Sequence, residues 1–165
     1  MRSATQWFEA YGESHQDGTN KLIHWLAIPV ILVNTLGLIQ SIPFVVESAW
    51  LNWASLVALA CTAFYFRLSW TLGLGMAAVA ATALAINGAI VAAGLPLLWV
   101  SIGSFFVAWV FQFIGHKIEG KKPSFFEDLQ YLLIGPAWLL QFVYRKLGVP
   151  VETWRGVSDA SGAKS

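Results

Sequence analysis

Four apolar segments, separated by short polar or proline-containing breaks, occupy most of the chain between residues 22 and 114. They cover residues 22–42, 49–66, 70–93 and 96–114. Because about 20 apolar residues in a helix cross the hydrocarbon core of a bilayer, this pattern predicts four transmembrane helices. Pro29 predicts a kink in the first of them, and Pro43 ends it.

Two further segments flank the four predicted spans. A helix over residues 3–16 carries three aromatic residues and a histidine on one side: Trp7, Phe8, Tyr11 and His15. Such an amphipathic helix lies in the headgroup region without crossing the membrane. Residues 125–144 are nearly long enough to cross, but they begin with two acidic residues and are interrupted by Gly135-Pro136. We therefore predict a re-entrant or interfacial helical segment there.

The third predicted span contains a ridge of small residues at a constant spacing of four. Its members are Gly73, Ala77, Ala81, Ala85, Ala89 and Ala93. Small residues let a neighbouring backbone approach closely, which is how transmembrane helices pack. We therefore interpret the ridge as a packing surface and not as a site.

Composition supports the membrane interpretation. Of the 165 residues, 57% are hydrophobic and only 12% are charged, and the mean hydropathy is +0.62. These values predict an all-α integral membrane helical bundle. We expect one membrane-embedded domain over residues 1–148, followed by a polar, disordered tail over 149–165. A net charge of +1 with scattered basic residues gives no indication of nucleic-acid binding.

The distribution of Lys and Arg predicts the orientation of the bundle. If residues 125–144 do not cross, all ten basic residues fall on one side of the membrane, whereas a fifth crossing would move the last four to the other side. Basic residues are enriched in cytoplasmic loops. We therefore expect both termini in the cytoplasm and a multi-pass protein of the cell inner membrane or the endoplasmic reticulum.

Polar groups capable of metal coordination are concentrated at the end of the fourth span. Gln112, His116 and Glu119 lie at positions i, i+4 and i+7, so that an amide, an imidazole and a carboxylate share one helical face. They form a possible ligand set. The alternative is that Gln112 and Glu119 are interfacial polar groups and that His116 only ends a helix.

The other two histidines of the chain can join this face. On one straight helix His15 and His24 would point in opposite directions, but residues 17–20 break the helix, and Thr19 or Asn20 can cap the next one. The predicted topology places His15, His24, His116 and Glu119 at the cytoplasmic ends of their elements. Three imidazoles from separate elements can form a metal cradle, and Asn20 and Gln112, each one turn away, can orient them. Separate interfacial histidines, each bonded to backbone, are the alternative.

Two groups of residues resemble the motifs of a known family. They are Tyr11, His15, Asn20, His24 and Pro29 in the first part, and Gln112, Gly115-His116, Glu119-Gly120 and Pro123 in the second. The pattern is similar to that of the small multi-pass membrane proteins related to the fungal 2-hydroxy fatty acid dioxygenase of phytosphingosine breakdown. The resemblance covers about residues 5–145.

This resemblance implies an enzyme. It would be an iron(II)-dependent dioxygenase that uses O2 to shorten a 2-hydroxy fatty acid by one carbon, with His15, His24 and His116 as iron ligands. Gln112 and Glu119 would be catalytic residues, Glu119 either as a fourth ligand or as a base that orients an imidazole.

Two other classes of protein remain open from the sequence. A haem protein could use His24 and His116 as axial ligands, and a visible spectrum distinguishes it from a non-haem protein. A membrane scaffold or transporter would need no metal. Against transport, the predicted spans carry no ionisable residue at their centres, where an ion path requires one.

Overall fold

The computed structural model describes residues 4–13, 15–45, 48, 50–120 and 133–151. Six α-helices lie within these residues: α1 Ala4–Gly12, α2 Gly18–Gln40, α3 Trp53–Leu68, α4 Trp70–Ala92, α5 Leu97–Glu119 and α6 Ile134–Leu147. The predicted all-α architecture is confirmed. The start of the predicted C-terminal segment, residues 125–132, and the tail from residue 152 onward lie outside the described residues.

Among the described residues, three helices are long and apolar enough to cross a membrane. Helices α2, α4 and α5 each have 23 residues, which corresponds to about 35 Å at 1.5 Å per residue. Helix α3 is also apolar but has only 16 residues, or about 24 Å, which is less than the ~30 Å hydrocarbon core. The four predicted spans therefore correspond to three candidate transmembrane helices and one shorter apolar helix.

Helix α2 is the centre of the bundle, because it contacts α3, α4, α5 and α6 and packs along much of α5. Two glycines allow close approach. A Cβ at Gly37 would collide with Ser101 of α5, and a Cβ at Gly115 would collide with the Asn20 side chain of α2. The second contact brings the start of α2 against the end of α5, where the polar residues lie.

Helices α1 and α6 pack against each other and cover the same end of α2. Phe8 and Tyr11 of α1 share an apolar cluster with Trp138 of α6 and Ile28 of α2. The Tyr11 and Trp138 rings are 5.2 Å apart, edge to face. The aromatic side of α1 is therefore buried against protein, and α6 forms one wall of the region beside α2.

One local prediction needs correction. Asp17, not Thr19 or Asn20, caps α2, and its carboxylate accepts hydrogen bonds from the backbone N–H groups of those two residues. The helix predicted to carry Gln112, His116 and Glu119 is confirmed, because α5 runs to Glu119 and ends at Gly120, whose φ of 73° favours glycine. The small-residue ridge of α4 packs within this chain only at its start, since its last four members are exposed: Ala81, Ala85, Ala89 and Ala93.

Candidate metal centre

The three histidines meet at one buried point, although they come from three parts of the chain. His15 lies between α1 and α2, His24 in the second turn of α2, and His116 in the last turn of α5. Their ring centroids are 4.2 Å apart for His15 and His24, 5.1 Å for His24 and His116, and 5.6 Å for His15 and His116. The exposed fractions of the three residues are 3%, 1% and 7%, respectively. They are therefore not separate interfacial histidines.

The helix break predicted near Gly18 makes this convergence possible. Helix α1 ends at Gly12, and Asp17 starts α2 by accepting hydrogen bonds from Thr19 N at 2.8 Å and Asn20 N at 2.9 Å. The connection folds His15 back onto His24. The His15 ring stacks on Tyr11, with centroids 4.2 Å apart.

Backbone carbonyls determine the protonation of two imidazoles. His15 Nδ1 lies 2.7 Å from the Tyr11 carbonyl oxygen, and His24 Nδ1 lies 2.9 Å from the Asn20 carbonyl oxygen. Because a carbonyl oxygen can only accept, each Nδ1 carries the proton and donates it. In the neutral imidazole the lone pair is then on Nε2, which is the arrangement that metal-binding histidines commonly have.

The distances within the group suit a single metal ion. The candidate ligand nitrogens, one from each histidine, lie within 4.8 Å of one another. Three nitrogens at about 2.1 Å from one ion would be separated by roughly 3 to 4 Å, so small side-chain adjustments close the site. Imidazole nitrogen suits iron, zinc, copper and nickel. A buried three-histidine group of this kind can hold a transition-metal ion and leave coordination positions for other molecules.

Glu119 is tied to the segment that follows His15. Its carboxylate accepts three hydrogen bonds, from Gln16 N at 2.7 Å, Asp17 N at 2.9 Å and Asn20 Nδ2 at 2.9 Å. Among the described residues, the group that can bind a metal consists of the three histidines without Glu119. The carboxylate lies at the start of α2, where the helix dipole favours a negative charge.

A small cavity adjoins the histidines. It has a volume of about 40 Å³ and is lined in part by Tyr11, His24, Gln112 and His116. This is room for a few water-sized molecules. Gln112 is buried, and its Oε1 has no hydrogen-bond partner among the described residues. The cavity therefore offers a polar group of the chain to a bound molecule.

Sequence reasoning gave no role to Trp138, which lies beside the site. Its ring centroid is 5.6 Å from that of His15, and it also packs against Tyr11. Trp138 thus forms a wall behind His15. The sequence predicted only a re-entrant or interfacial helical segment over residues 125–144, and no motif in that segment linked Trp138 to the histidines.

The fold and the site define an α-helical protein that has three candidate membrane spans within its described residues and a buried three-histidine group at one end of the bundle. Residues 1–147 match the model of the Mpo1-like family, described as 2-hydroxy-palmitic acid dioxygenase Mpo1-like, and the chain belongs to this family. The resemblance seen in the sequence motifs is thereby confirmed. No curated protein and no solved structure is significantly similar to the chain.

Proposed function

We propose that this protein is an iron(II)-dependent dioxygenase that shortens 2-hydroxy fatty acids by one carbon. The observation that carries the proposal is the buried group of His15, His24 and His116 in a chain of the 2-hydroxy-palmitic acid dioxygenase family. The overall reaction converts the 2-hydroxy acid and O2 into the acid one carbon shorter, CO2 and water. The bond between C1 and C2 is broken, the 2-hydroxy acid is oxidised and O2 is reduced.

The three histidines would hold the ferrous ion. When bound, this ion supplies a centre at which the carboxylate and hydroxyl of a 2-hydroxy acid and O2 can meet. The chain's contribution is to orient the imidazoles. The Tyr11 and Asn20 carbonyls do this for His15 and His24 by accepting hydrogen bonds from their Nδ1–H groups, which leaves each Nε2 available to the metal.

Gln112 and Glu119 would act differently from each other. Gln112 lines the cavity beside His24 and His116, and its buried amide can bond to the hydroxyl or carboxyl group of the substrate. The contacts of Glu119 support a positioning role. By holding the N–H groups of Gln16 and Asp17, it fixes the segment that carries His15.

The haem alternative is disfavoured by the space at the site. A haem with His24 and His116 as axial ligands would need room for a macrocycle between the two rings, whose centroids are 5.1 Å apart. His15 lies against both rings, and the adjoining cavity has only about 40 Å³. Ligand pockets for molecules of drug size are roughly 300–1,000 Å³. A small ion fits the histidines better.

We also propose that the site faces the cytoplasm, because the basic residues cluster on one side of the predicted topology. Cysteines introduced at Ser14 and Lys122, in a Cys61→Ala background, should both react with a membrane-impermeant thiol reagent only from the cytoplasmic side. Reaction of one cysteine from each side would refute a shared site at that face.

The reaction is tested by purifying the protein without O2 and supplying 2-hydroxypalmitic acid. We expect a fifteen-carbon acid to form only when both iron(II) and O2 are present, and chelation should stop its formation. Palmitic acid, which lacks the hydroxyl group, is the matched control and should not be shortened. Turnover that persists after complete removal of the metal would contradict the proposal.

A further inference from the structure

A second cavity lies farther along the bundle from the metal centre. It has a volume of about 230 Å³ and lies between α2, α3, α4 and the start of α6. It is partly open, since Val57 and Leu133 in its wall are each 38% exposed. Its wall is almost entirely apolar and includes Leu32, Leu36, Ala58, Cys61, Met76 and Ala80. The hydroxyl of Thr35, which also lines it, is bonded to the Ile31 carbonyl of its own helix. We call this cavity the inner chamber.

The inner chamber separates two apolar clusters of the core. Tyr65 and Met76, on one side, belong to the cluster that also contains the aromatic residues of α1 and α6. Leu36 and Ala58, on the other side, belong to the cluster formed farther along α2, α3 and α4. Protein interiors are normally close-packed, so an apolar space of this size between two packed clusters is an exception that can hold an apolar ligand.

One face of α2 leads from the metal centre to the inner chamber. His24, Ile28 and Leu32 follow one another at a spacing of four, and the first two line the small cavity beside the histidines. Leu32 lines both cavities, and Leu36 and Ile39 continue the same face into the inner chamber. At 1.5 Å per residue, the path is about 12 Å from His24 to Leu32 and about 22 Å from His24 to Ile39.

We propose that the inner chamber receives the acyl chain of the fatty acid, with its carboxyl end at the metal centre. This inference rests on the proposed function. The cavity beside the histidines, at about 40 Å³, is too small for a long acyl chain. A chain that fills one leaflet of a bilayer extends about 15 Å, half of the ~30 Å hydrocarbon core, and so reaches past Leu32 into the inner chamber.

A larger outer groove between α2 and α5 does not serve this purpose. It has a volume of about 760 Å³, but residues such as Leu26 and Trp99, each 68% exposed, leave it open on the outside. It lies along another face of α2 and, among the described residues, shares no lining residue with the cavity at the histidines. A chain in this groove would not lead to the metal centre.

The inner chamber therefore sets the chain length that the enzyme accepts. Ala80 packs against the deeper cluster, whereas Cys61 packs against the cluster nearer the metal centre. We expect Ala80→Phe to lower kcat/KM for sixteen-carbon relative to ten-carbon 2-hydroxy acids by about ten-fold or more. The new ring would occupy the space that the end of the long acyl chain needs, and forcing both into the chamber would cause strain. Cys61→Phe should shift the preference to still shorter chains. Val107→Phe, in the outer groove, is the matched control and should leave the preference unchanged.

A photoreactive substrate tests the same inference without substitutions that might impair folding. A sixteen-carbon 2-hydroxy acid with a terminal diazirine is bound to the unmodified protein in the absence of O2, irradiated and located by peptide mass spectrometry. Adducts on residues that line the inner chamber are expected, within residues 32–39, 57–65 or 76–80 or at Leu133. Adducts confined to residues 99–111, or absent from all of these lining positions, would overturn the inner chamber. An unmodified enzyme that shortens no 2-hydroxy acid would instead overturn the proposed function.

Discussion

Replacing Glu119 by Gln tests whether this carboxylate is a metal ligand or a positioning residue. The substitution keeps the shape of the side chain but turns one acceptor oxygen into an NH2 group. One or two of the three hydrogen bonds, from Gln16 N, Asp17 N and Asn20 Nδ2, must then be lost. Because each bond to a charged group is worth about 1.5–3 kcal/mol, and the partly exposed site favours the lower value, we expect a loss of roughly 1.5 to 3 kcal/mol.

This loss should appear in the segment that carries His15 even when no metal is present. A loss of about 1.4 kcal/mol corresponds to a ten-fold change in a local opening equilibrium, so amide exchange at Gln16 and Asp17 should rise by about ten-fold or more in metal-free Glu119→Gln. Iron affinity should fall by about 10- to 100-fold, as for other partners that orient ligands, and excess iron should restore binding. Asn20→Ala removes one of the same bonds and should give a smaller change in exchange.

The positioning role would be refuted by the opposite pattern. If amide exchange at Gln16 and Asp17 is unchanged in metal-free Glu119→Gln, while iron binding is lost even at high iron concentration, Glu119 is a direct ligand. Hydrogen exchange followed by mass spectrometry and anaerobic iron titration give the two readouts on the same samples.

Two further substitutions test the packing and the chemistry of the site. Gly115→Ala should lower the free energy of unfolding by about 1–3 kcal/mol, because the new Cβ collides with Asn20. Thermal unfolding measures this change. The matched control is Gly103→Ala, where a Cβ meets open space, and it should leave the stability unchanged or raise it. An unchanged stability in Gly115→Ala would contradict the close contact of α2 and α5. Gln112→Ala should lower turnover by about 10- to 100-fold while iron stays bound, and loss of the metal in this variant would show that Gln112 acts at the ion itself.

Much of the fold follows from local sequence signals. The bounds predicted for the third span, residues 70–93, agree with α4 at Trp70–Ala92, because a long apolar run is bounded there by a polar residue and by Gly94-Leu95-Pro96. The convergence of His15 and His24 also follows from local chemistry, since Asp17 and Gly18 interrupt a helix that would otherwise hold the two rings apart.

The contacts that organise the site could not be predicted in this way. Glu119 bonds to Gln16, 103 positions earlier in the chain, and its i, i+7 relation to Gln112 says nothing about this partner. The wall formed by Trp138 also depends on tertiary packing. The ridge of small residues in α4 meets the rest of this chain only at its start, because spacing alone does not show which face of a helix contacts its neighbours in the fold.

The most direct test of the account is the iron content of the protein and of three variants, His15→Ala, His24→Ala and His116→Ala. Each protein is purified without O2 in a folded, membrane-inserted form, and iron is measured per chain. We expect one iron per chain in the unmodified protein, and loss of iron and of 2-hydroxy acid shortening in each variant, because a three-ligand site loses its geometry with any member. Full iron occupancy in all three folded variants would contradict the three-histidine metal centre.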